Sequence, residues 1–351
     1  MVRKKSALTT ILAIIMMMMV ISSTHGQTTR EHITIVGSYV VSPLATVVAG
    51  RLNQAAKLKK APDIQPIGTD AGFNQFCAGL GIETPDIVLG TRQVKPSEME
   101  ECAKNGVKEI VELKIGYTAI IVTRSGGVEG FKNLTRKDLF LAMAKDVPDP
   151  QGNAKTIPNP YKTWKELNAE LPDLKIQTWG PDPTYAIRSS VVSEIMVEGC
   201  KQIPWLKTLE AADPKAFGEV CRSFRKDGVY NEYKDHNVLM EEMKKNPNIF
   251  GIFPATFLRD MNLTSLPIDG IEPLPGAISH NLYPLTRPLL LYVKKGHVEL
   301  VPGLKDYLTE ITSEAAISTG GYLLKEGLVP MRISERRQTQ SNAIELKALS
   351  F

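Results

Sequence analysis

Three times along the chain, a short apolar segment ends at a glycine-containing turn and a helical pattern follows. The three segments are ITIVGSYVVSPLATVV, QPIGTDAGFNQFCAG and IQTWGPDPTYAIRSSVVSEIM. Helix N-termini carry unpaired N–H groups and a partial positive charge, which together stabilise a bound anion. In open α/β sheets, such turns collect beyond the carboxyl ends of the strands. The repeated arrangement indicates an α/β fold with a shared ligand cleft, and ordinary strand-to-helix packing without a ligand is the alternative.

The rest of the chain continues this alternation of strands and helices. Leu44, Val47, Val48 and Leu52 follow Pro43 at the spacing of one apolar helix face. The predicted strands are ITIV, DIQPI, PDIVLG, YTAIIVT, IQTW, FGIF and PLLLYV. Alternating elements favour an α/β fold with a mainly parallel sheet flanked by helices. The segment KDVPDPQGNAKTIPNPYKTW is rich in Pro, Asn and Gly, which predicts a surface loop.

Residues 1–26 have the pattern of an export signal. They begin with Arg3, Lys4 and Lys5, continue with an uncharged run, and end in small residues. The strongly apolar part, roughly residues 11–21, is shorter than the ~20 residues that a spanning helix needs, so a cleaved signal peptide is favoured over a membrane anchor. The absence of a Cys at the cleavage site argues against a lipid anchor. The pattern therefore predicts a secreted, periplasmic protein.

Charge and composition exclude one broad class of partner. Loss of residues 1–26 removes three positive charges and lowers the formal net charge from +4 to +1. A nearly neutral chain gives no electrostatic reason to expect nucleic acid. Hydrophobic residues make up 43% of the chain and charged residues 23%, which is typical of a globular protein with one large or two medium domains.

Four cysteines lie in the part of the chain predicted to be exported. Cys77, Cys102, Cys200 and Cys221 allow three disulfide pairings. An oxidising compartment favours disulfides over free thiols. Pairing neighbours in sequence would close two loops of similar length, each stabilising the fold by roughly 3 kcal/mol. Metal binding is the weaker alternative, because the five histidines are scattered and none lies at ligand spacing from a cysteine.

Seven segments taken in order and spacing carry a family resemblance. They are GSYVVSP, GTDAGFNQFCAG, PDIVLGTRQVKPSEMEEC, LTRKDLFLAMAK, NPYKTWKELNAELPDLKIQTWGP, YPLTRPLLLYVKKGH and GLVP. From about Ile33 to Pro330 the chain resembles the periplasmic phosphate-binding proteins of ABC transporters, which have the type-2 periplasmic binding protein (PBP-like) fold. The resemblance implies lobe 1 from residues 31–122 plus 287–351, lobe 2 from residues 123–286, and a hinge of two crossovers.

The same resemblance implies how such a protein works. Phosphate would bind between the lobes, and closure would present a surface to a permease in the inner membrane. The protein would act in phosphate transport as a monomer, without a cofactor and without catalysing a reaction. The chain also lacks a recognisable nucleophile elbow, a Ser-His-Asp pattern and a set of metal ligands, so an enzyme such as a phosphatase is disfavoured.

The first turn keeps only part of the family's ligand chemistry. In the family this turn reads Gly-Ser-Ser-Thr-Val, and its hydroxyl and N–H groups contact the oxyanion. Here Ser38 matches, whereas Tyr39 and Val40 replace the next two residues. Tyr39 is expected either to contact the ligand or to pack against Tyr185 across the cleft.

The second turn departs in a different way. The family pattern is Gly-Thr-Gly-Gly-Gly, which Thr69 and Gly72 match and from which Asp70 and Ala71 depart. An Asp70 carboxylate in the cleft would accept a proton from a protonated oxyanion, bind a cation, or repel an unprotonated anion. The alternative is that Asp70 caps the helix that continues through Phe73.

The strand that follows the second turn keeps its ligand groups. Thr91 and Arg92 replace the family's Ser-Arg, which preserves both a hydroxyl and a guanidinium.

The third turn keeps its arginine and loses two expected residues of its ligand pattern. The later turn reads Pro-Thr-Ser-Gly-Thr-Arg in the family and PTYAIR at residues 183–188 here, so Tyr185 and Ile187 stand where hydroxyls are expected. Both arginines have an alternative role as surface or interlobe ion pairs. The predicted ligand-binding residues are Ser38, Tyr39, Thr69, Asp70, Gly72, Thr91, Arg92, Thr184, Tyr185 and Arg188.

These departures set the competing functional hypotheses. Each hydroxyl-to-anion hydrogen bond contributes on the order of 1.5–3 kcal/mol, so the loss of several would weaken binding by powers of ten unless other groups compensate. The first hypothesis is a phosphate or related oxyanion receptor. The alternatives are a paralogue that binds a different small molecule and a ligand-free interaction or sensor protein of the envelope.

A simple structural criterion separates the hypotheses. Ser38, Thr69, Arg92 and Arg188 gathered around one small void would support anion binding. Tyr39, Tyr185 and Ile187 filling that void would instead support a scaffold or a larger ligand.

Overall fold

A computed structural model describes residues 30–127, 129–132, 134–152, 154–185, 187–255 and 264–350. The signal peptide predicted for residues 1–26 lies outside these ranges. Within them, no helix combines the length and the apolar character needed to cross a membrane.

One nine-stranded sheet forms the centre of the molecule, and a two-stranded hairpin lies apart from it. The sheet order is β2-β1-β3-β11-β4-β9-β7-β8, with β10 pairing to β4, while β5 and β6 form the hairpin. The strands are β1 (Thr34–Gly37), β2 (Asp63–Pro66), β3 (Ile87–Gly90), β4 (Ile110–Arg124), β5 (Asp146–Pro148), β6 (Thr156–Pro158), β7 (Thr178–Pro181), β8 (Tyr230–Tyr233), β9 (Phe250–Pro254), β10 (Thr264–Ser265) and β11 (Thr286–Lys294).

Helices connect the strands and cover the sheet. One of them passes from α-helix through a π-helical segment, Val191–Val197, and back into α-helix, so that residues 188–201 form one continuous helix. Short 3₁₀ helices lie at Lys295–His297 and Tyr322–Glu326. The α-helices are α1 (Ser42–Gln54), α2 (Thr69–Phe76), α3 (Pro96–Lys104), α4 (Arg136–Met143), α5 (Trp164–Leu167), α6 (Arg188–Ser190), α7 (Glu198–Lys201), α8 (Pro204–Ala212), α9 (Pro214–Cys221), α10 (His236–Lys245), α11 (Pro275–Ser279), α12 (Leu304–Ile311), α13 (Glu314–Ile317) and α14 (Ile333–Glu345).

Every predicted strand falls on an observed one, but the centre of the sheet is antiparallel. β1 runs parallel to β2 and β3, and β7 runs parallel to β8 and β9. β11 pairs antiparallel with β3 and β4, and β4 pairs antiparallel with β9. The predicted parallel pairing therefore holds for the two flanks of the sheet. The long strands β4 and β11 join these flanks through antiparallel pairing.

Strand β4 belongs to both flanks. Its residues up to Ala119 pair with β11, and from Ile120 onward it pairs with β9. The change of partner lies three residues before the lobe boundary predicted at 122/123, and β11 begins at the boundary predicted at 286/287. The lobe assignment itself stays a prediction, which this change of strand partner supports.

The predicted apolar face of the first helix is confirmed. Pro43 occupies the first turn of α1, where its missing N–H costs nothing, and Leu44, Val48 and Leu52 are buried. The segment predicted as a surface loop is more ordered than expected, since it contains the β5–β6 hairpin and the start of α5. Trp164, at the end of that segment, is fully buried against aromatic side chains of the core.

Two disulfides fix the positions of helices. Of the three possible pairings the structure has the one between sequence neighbours, Cys77–Cys102 and Cys200–Cys221. The first joins the residue that follows α2 to the body of α3. The second joins α7 to the last residue of α9.

Candidate functional site

A cleft of about 560 Å³ lies beyond the carboxyl ends of β1 and β3, beside the first residues of β11. We call it the central cleft. Its first wall consists of Ser38, Tyr39, Ile67, Gly68, Thr69, Asp70, Ala71, Thr91, Arg92 and Lys95. Its second wall consists of Ser189, Val192, Ser193 and Arg222, and Arg287 of β11 lies in the cleft as well.

The turn after β1 is shaped by a glycine and by its own backbone hydrogen bonds. Gly37 has φ of +126°, and a Cβ there would fall 2.3 Å from the Leu89 carbonyl oxygen, so only glycine fits. The Ser38 N–H donates to that same carbonyl at 2.9 Å. The Ser38 hydroxyl oxygen accepts from the Val40 N–H at 3.2 Å and lies in the cleft. Tyr39, whose side chain the family does not have here, is 46% exposed at the cleft edge.

The turn after β2 presents open backbone amides to the cleft. Gly68, with φ of +91°, precedes α2, and the Gly72 N–H is the first of the helix to reach a carbonyl, that of Gly68 at 2.9 Å. The three preceding N–H groups, those of Thr69, Asp70 and Ala71, have no hydrogen-bond partner in the part of the chain that the structure describes, as is usual at a helix N-terminus. All three residues line the cleft, so the first turn of α2, which we call its amide edge, borders the space where a ligand would lie.

Gly72, predicted as a ligand contact, lies behind this edge. A Cβ at Gly72 would stand 2.9 Å from the Gly37 Cα, so the missing side chain lets α2 pack directly on the first turn. Gly72 does not line the cleft. Gly72 thus makes a packing contact that holds the start of α2 against the turn after β1.

Asp70 and Arg92 neutralise each other at the mouth of the cleft. Arg92 Nη2 bonds Asp70 Oδ1 and lies 2.5 Å from Glu98 Oε1, and Arg92 Nη1 donates to Glu98 Oε2 at 2.9 Å. Lys95 Nζ donates to Asp70 Oδ1 at 3.0 Å. Burial pushes the pKa of Asp70 upward, but hydrogen bonds from Arg92 and Lys95 outweigh it and hold that pKa below its usual value. The cap proposed for Asp70 is not formed, since α2 has no side-chain cap.

The predicted residues of the third turn lie outside the cleft. Thr184 turns back on Asp182, to which its N–H donates at 2.9 Å and its hydroxyl at 2.7 Å. The Tyr185 ring packs on Tyr233 with centroids 5.4 Å apart, not on Tyr39. None of these residues belongs to either wall.

Arg188 is also engaged elsewhere. Its Nη1 donates to the Pro181 carbonyl at 2.7 Å, to the Tyr230 hydroxyl at 2.7 Å and to Glu232 Oε1 at 2.8 Å. Its guanidinium carbon stands 3.8 Å from the Phe224 ring centroid. Arg188 thus takes the ion-pair role that the sequence analysis offered as its alternative.

The cleft is lined opposite the first wall by residues that the sequence analysis did not predict. Ser189, Val192 and Ser193 come from the helix that contains the π-helical segment, a feature common at functional sites. Arg222 follows the Cys200–Cys221 disulfide directly, is exposed, and makes no ion pair within the described ranges. For Arg287, the one available signal was a charged residue at the start of the apolar run PLLLYV.

The electrostatic balance of the central cleft is positive. Arg92, Lys95, Arg222 and Arg287 line it, together with the Asp70 carboxylate. Glu98 and Glu194 do not line the cleft but lie within 3.5 Å of Arg92 and Arg287, so four cations stand against three carboxylates. Among the described residues there is no cluster of His, Cys, Asp or Glu able to hold a metal ion. An anion is therefore the kind of ligand that these groups attract.

A second, larger cavity has less to offer an anion. It measures about 680 Å³ and lies beside Phe224 and Arg225. The Arg225 guanidinium is held by both oxygens of Asp227, at 2.8 and 2.6 Å, and by the Tyr161 carbonyl at 3.0 Å. Its donors are already used, so we regard the central cleft as the candidate site.

Comparison with known proteins places the chain among binding proteins. A family model described as PBP superfamily domain matches residues 22–315. The phosphate-binding protein PstS of Staphylococcus haemolyticus is 26% identical over 235 residues, which is 65% of this chain and 60% of that protein. Protein SphX of Synechocystis is 23% identical over 311 residues, 86% of this chain and 79% of that protein. The chain thus spans about three fifths of the length of the staphylococcal relative.

Solved structures show the same fold. A possible phosphate binding protein from Planctomyces limnophilus has a TM-score of 0.67 at 21% identity, over 90% of this chain and 98% of that one. PstS from Borrelia burgdorferi has a TM-score of 0.58 at 17% identity, over 86% of this chain and all of that one. The fold is accordingly a two-lobed α/β arrangement. The long strands β4 and β11 lie at the centre of its mixed sheet and join the two parallel flanks.

Proposed function

The chain belongs to the PBP superfamily domain family, and from this premise we propose that it binds phosphate or a related oxyanion in the central cleft. It would act as the solute-binding protein of a phosphate-type ABC transporter and not as an enzyme. The names of its relatives, phosphate-binding proteins among them, support this ligand class.

The observation that carries the proposal is the amide edge of α2. The N–H groups of Thr69, Asp70 and Ala71 have no helical partner, and these three residues line the cleft. A substitution other than proline leaves a backbone amide in place, so this part of an oxyanion site survives the changes of side chain at Asp70 and Ala71. The partial positive charge of the helix terminus adds ~0.3–1 kcal/mol if exposed and up to ~2 kcal/mol when partly buried.

Side chains around this edge complete a site for a small oxyanion. Ser38, Thr69 and Thr91, which carry hydroxyl groups, line the cleft, and the lining cations outnumber Asp70. The predicted contacts from Thr184, Tyr185 and Arg188 find no support in the structure, since these residues are engaged elsewhere. The proposed site therefore relies on the first wall more heavily than the family pattern suggests.

The biological setting follows from the proposed function. An export signal at residues 1–26, removal of that signal, and a periplasmic location are part of the proposal. So are a permease in the inner membrane as partner and a monomeric state. The two disulfides suit an oxidising compartment, where such bonds persist.

One observation favours a second candidate ligand. The central cleft, about 560 Å³, exceeds the size of a tetrahedral ion, and the exposed ring of Tyr39 stands at its edge. A phosphate ester with an apolar group would place the phosphate on the amide edge and the remainder beside Tyr39. This candidate keeps the anion site and changes the size of the ligand.

Calorimetric titration tests the proposal. The purified protein, stripped of ligand by unfolding and refolding with its disulfides intact, is titrated with phosphate, with sulfate and with phenyl phosphate. Binding of phosphate at micromolar strength or better supports the first proposal, and a clear preference for phenyl phosphate supports the second. Absence of heat with all three ligands, together with no rise in melting temperature at millimolar phosphate, would overturn both.

A further inference from the structure

Arg287 is a buried arginine that joins the two walls of the central cleft. It lies at the start of β11 and is 8% exposed. Its Nε donates to the Thr91 carbonyl at 2.7 Å on the first wall, and its Nη1 donates to the Ser193 hydroxyl at 2.6 Å on the second. A single guanidinium therefore contacts both sides of the site.

Four arginines are relevant to an anion, and they differ in burial and in how many donors they have left. Arg222 lines the cleft without an ion pair among the described residues, but its side chain is exposed, so water screens its charge. Arg92 is held by two carboxylates, and Arg188 by a carboxylate, a hydroxyl and a carbonyl. A guanidinium has five N–H donors. Arg287 uses one at Nε and one at Nη1, and its Nη2 donates to no residue within the described ranges. Arg287 is thus a buried cation in the cleft with donors to spare.

The Glu194 carboxylate lies beside Arg287 and competes with an anion for its guanidinium. Glu194 Oε1 lies 3.5 Å from Arg287 Nη1 and accepts a hydrogen bond from the Ser193 hydroxyl at 3.0 Å. Burial raises the pKa of Glu194, an effect that the nearby Arg287 opposes and that Glu198 reinforces. Glu194 does not line the cleft, so it acts on a ligand through Arg287.

We propose that Arg287 is the guanidinium that binds the oxyanion, in place of Arg92 and Arg188, and that Glu194 weakens this binding by pairing with Arg287. The inference rests on the proposed function and names the residue that supplies the charge. An anion bound at the amide edge of α2 accepts hydrogen bonds from the free N–H groups of Arg287, which lies at the predicted hinge. Because Arg287 contacts both walls, the same contact fixes the walls around the ligand.

The proposal predicts opposite changes in phosphate affinity at positions 287 and 194, which an arginine with only a structural role would not produce. Loss of the Arg287 guanidinium removes attraction for the anion, whereas loss of the Glu194 charge removes competition for that guanidinium. A charge-assisted hydrogen bond changes affinity by roughly 10-fold to 150-fold. Opposite changes in affinity at two adjacent positions are therefore the signature of the proposal.

The test is phosphate titration of five forms of the purified protein at one pH and ionic strength. Arg287→Gln should weaken phosphate binding roughly 100-fold, and Arg287→Lys roughly 10-fold, because a lysine keeps the charge and loses the planar donors. Glu194→Gln should tighten binding about 3-fold to 10-fold. Arg336→Gln is the matched control, since Arg336 is 7% exposed, pairs with Glu314 and lies outside the cleft. It should leave the affinity within about 2-fold.

The outcomes distinguish this inference from the proposed function. If the unaltered protein binds phosphate and Arg287→Gln binds it within about 3-fold, the assignment of Arg287 is overturned while the proposed function stands. Should Arg287→Gln fail to fold, Glu194→Gln still decides, and unchanged or weaker binding by that variant would overturn the inference. If the unaltered protein binds no phosphate, the proposed function falls and the assignment falls with it.

Discussion

The first wall of the central cleft offers an anion mainly backbone groups, whereas the second wall offers side chains. The amides of Thr69, Asp70 and Ala71 open onto the cleft from the first wall. At the start of the opposite helix, the N–H of Arg188 is already bonded to the Tyr185 carbonyl and that of Val191 to the Ile187 carbonyl. The helix there brings Ser189 and Ser193 to the cleft instead.

This difference explains how an oxyanion site can tolerate the loss of side-chain hydroxyl groups that the family pattern has in its turns. Backbone amides do not depend on side-chain identity, so the first wall keeps its donors despite Tyr39, Asp70 and Ala71. The second wall depends on side chains, and Thr184, Tyr185 and Arg188 of the third turn do not line the cleft. The first wall is therefore the proposed binding surface, and Arg287 connects the second wall to it.

Each wall is fixed by its own disulfide, which permits a direct comparison. Replacing Cys77 and Cys102 by Ala, or Cys200 and Cys221 by Ala, should lower the free energy of unfolding by roughly 3 kcal/mol in either case, because the two loops are of similar length. Phosphate affinity should fall further in the first double variant, which loosens α2. Urea unfolding and calorimetric titration measure the two quantities. A larger affinity loss in the second double variant would reverse the assignment of the walls.

Gly72 tests the packing that positions the amide edge. Gly72→Ala places a Cβ 2.9 Å from the Gly37 Cα, which should push α2 from the first turn and cost ~1–3 kcal/mol of folding stability despite the better helix propensity of Ala. Phosphate affinity should fall about 10-fold or more. Gly50→Ala in α1 is the control, because its Cβ meets nothing within 4 Å and should stabilise the protein by ~0.5–1 kcal/mol. Equal behaviour of the two variants would show that close packing at Gly72 is unimportant.

Tyr39 tests whether the first wall can regain a side-chain donor. Tyr39→Ser adds a hydroxyl beside Ser38 and removes the exposed ring, so phosphate should bind about 10-fold more tightly. Tyr39→Phe, which keeps the ring, should stay within about 2-fold. Titration of both variants with phosphate and phenyl phosphate supplies the measurement. Weaker binding of phosphate by Tyr39→Ser would mean that the ring itself contacts the ligand.

Asp70 provides the smallest expected effect, and its sign depends on pH. Its ion pairs hold the pKa of Asp70 below the usual value, so their stabilisation is present above the unfolded pKa of about 3.9 and is lost as the pH falls through the folded pKa. Because the side chain is 72% exposed, Asp70→Asn should cost under ~1 kcal/mol at pH 7 and progressively less below pH 4.

Urea unfolding at several pH values checks this expectation. Asp63→Asn is the control, since Asp63 is exposed and its side chain accepts a hydrogen bond from Gln65. The cost of Asp70→Asn should shrink toward that of the control as the pH falls. A cost that grew on acidification would contradict the ion pairing seen at the mouth of the cleft.

Local patterns in the sequence predicted the strands and much of the first wall, but not the antiparallel pairing at the centre of the sheet. The glycines at 37 and 68 mark turns that need positive φ, and the apolar periodicity of α1 follows Pro43. The pairing of cysteines that are neighbours in sequence was one of three open possibilities. Ser38 and Thr91 directly follow strands β1 and β3, and Thr69 lies three residues after β2, so position along the chain predicts their place in the cleft.

The second wall depended on contacts between distant residues. Arg188 is held by Glu232, 44 residues further along, and Arg287 bonds Thr91 across 196 residues. No local pattern records such pairs, and nothing in PTYAIR indicates that Tyr185 will pack on Tyr233. The criterion set from the sequence gives a mixed result for the same reason, because Ser38, Thr69 and Arg92 share the cleft with Tyr39 whereas Arg188 does not.

The most direct test of the account is a phosphate titration of the ¹⁵N-labelled protein followed by amide NMR. Hydrogen bonds to an anion move amide protons downfield, so we expect the largest downfield shifts at Thr69, Asp70 and Ala71. The amides of Thr184, Tyr185 and Arg188 should change little. Largest shifts in the third turn, with the three α2 amides unmoved at saturation, would contradict the claim that the amide edge of α2 holds the oxyanion.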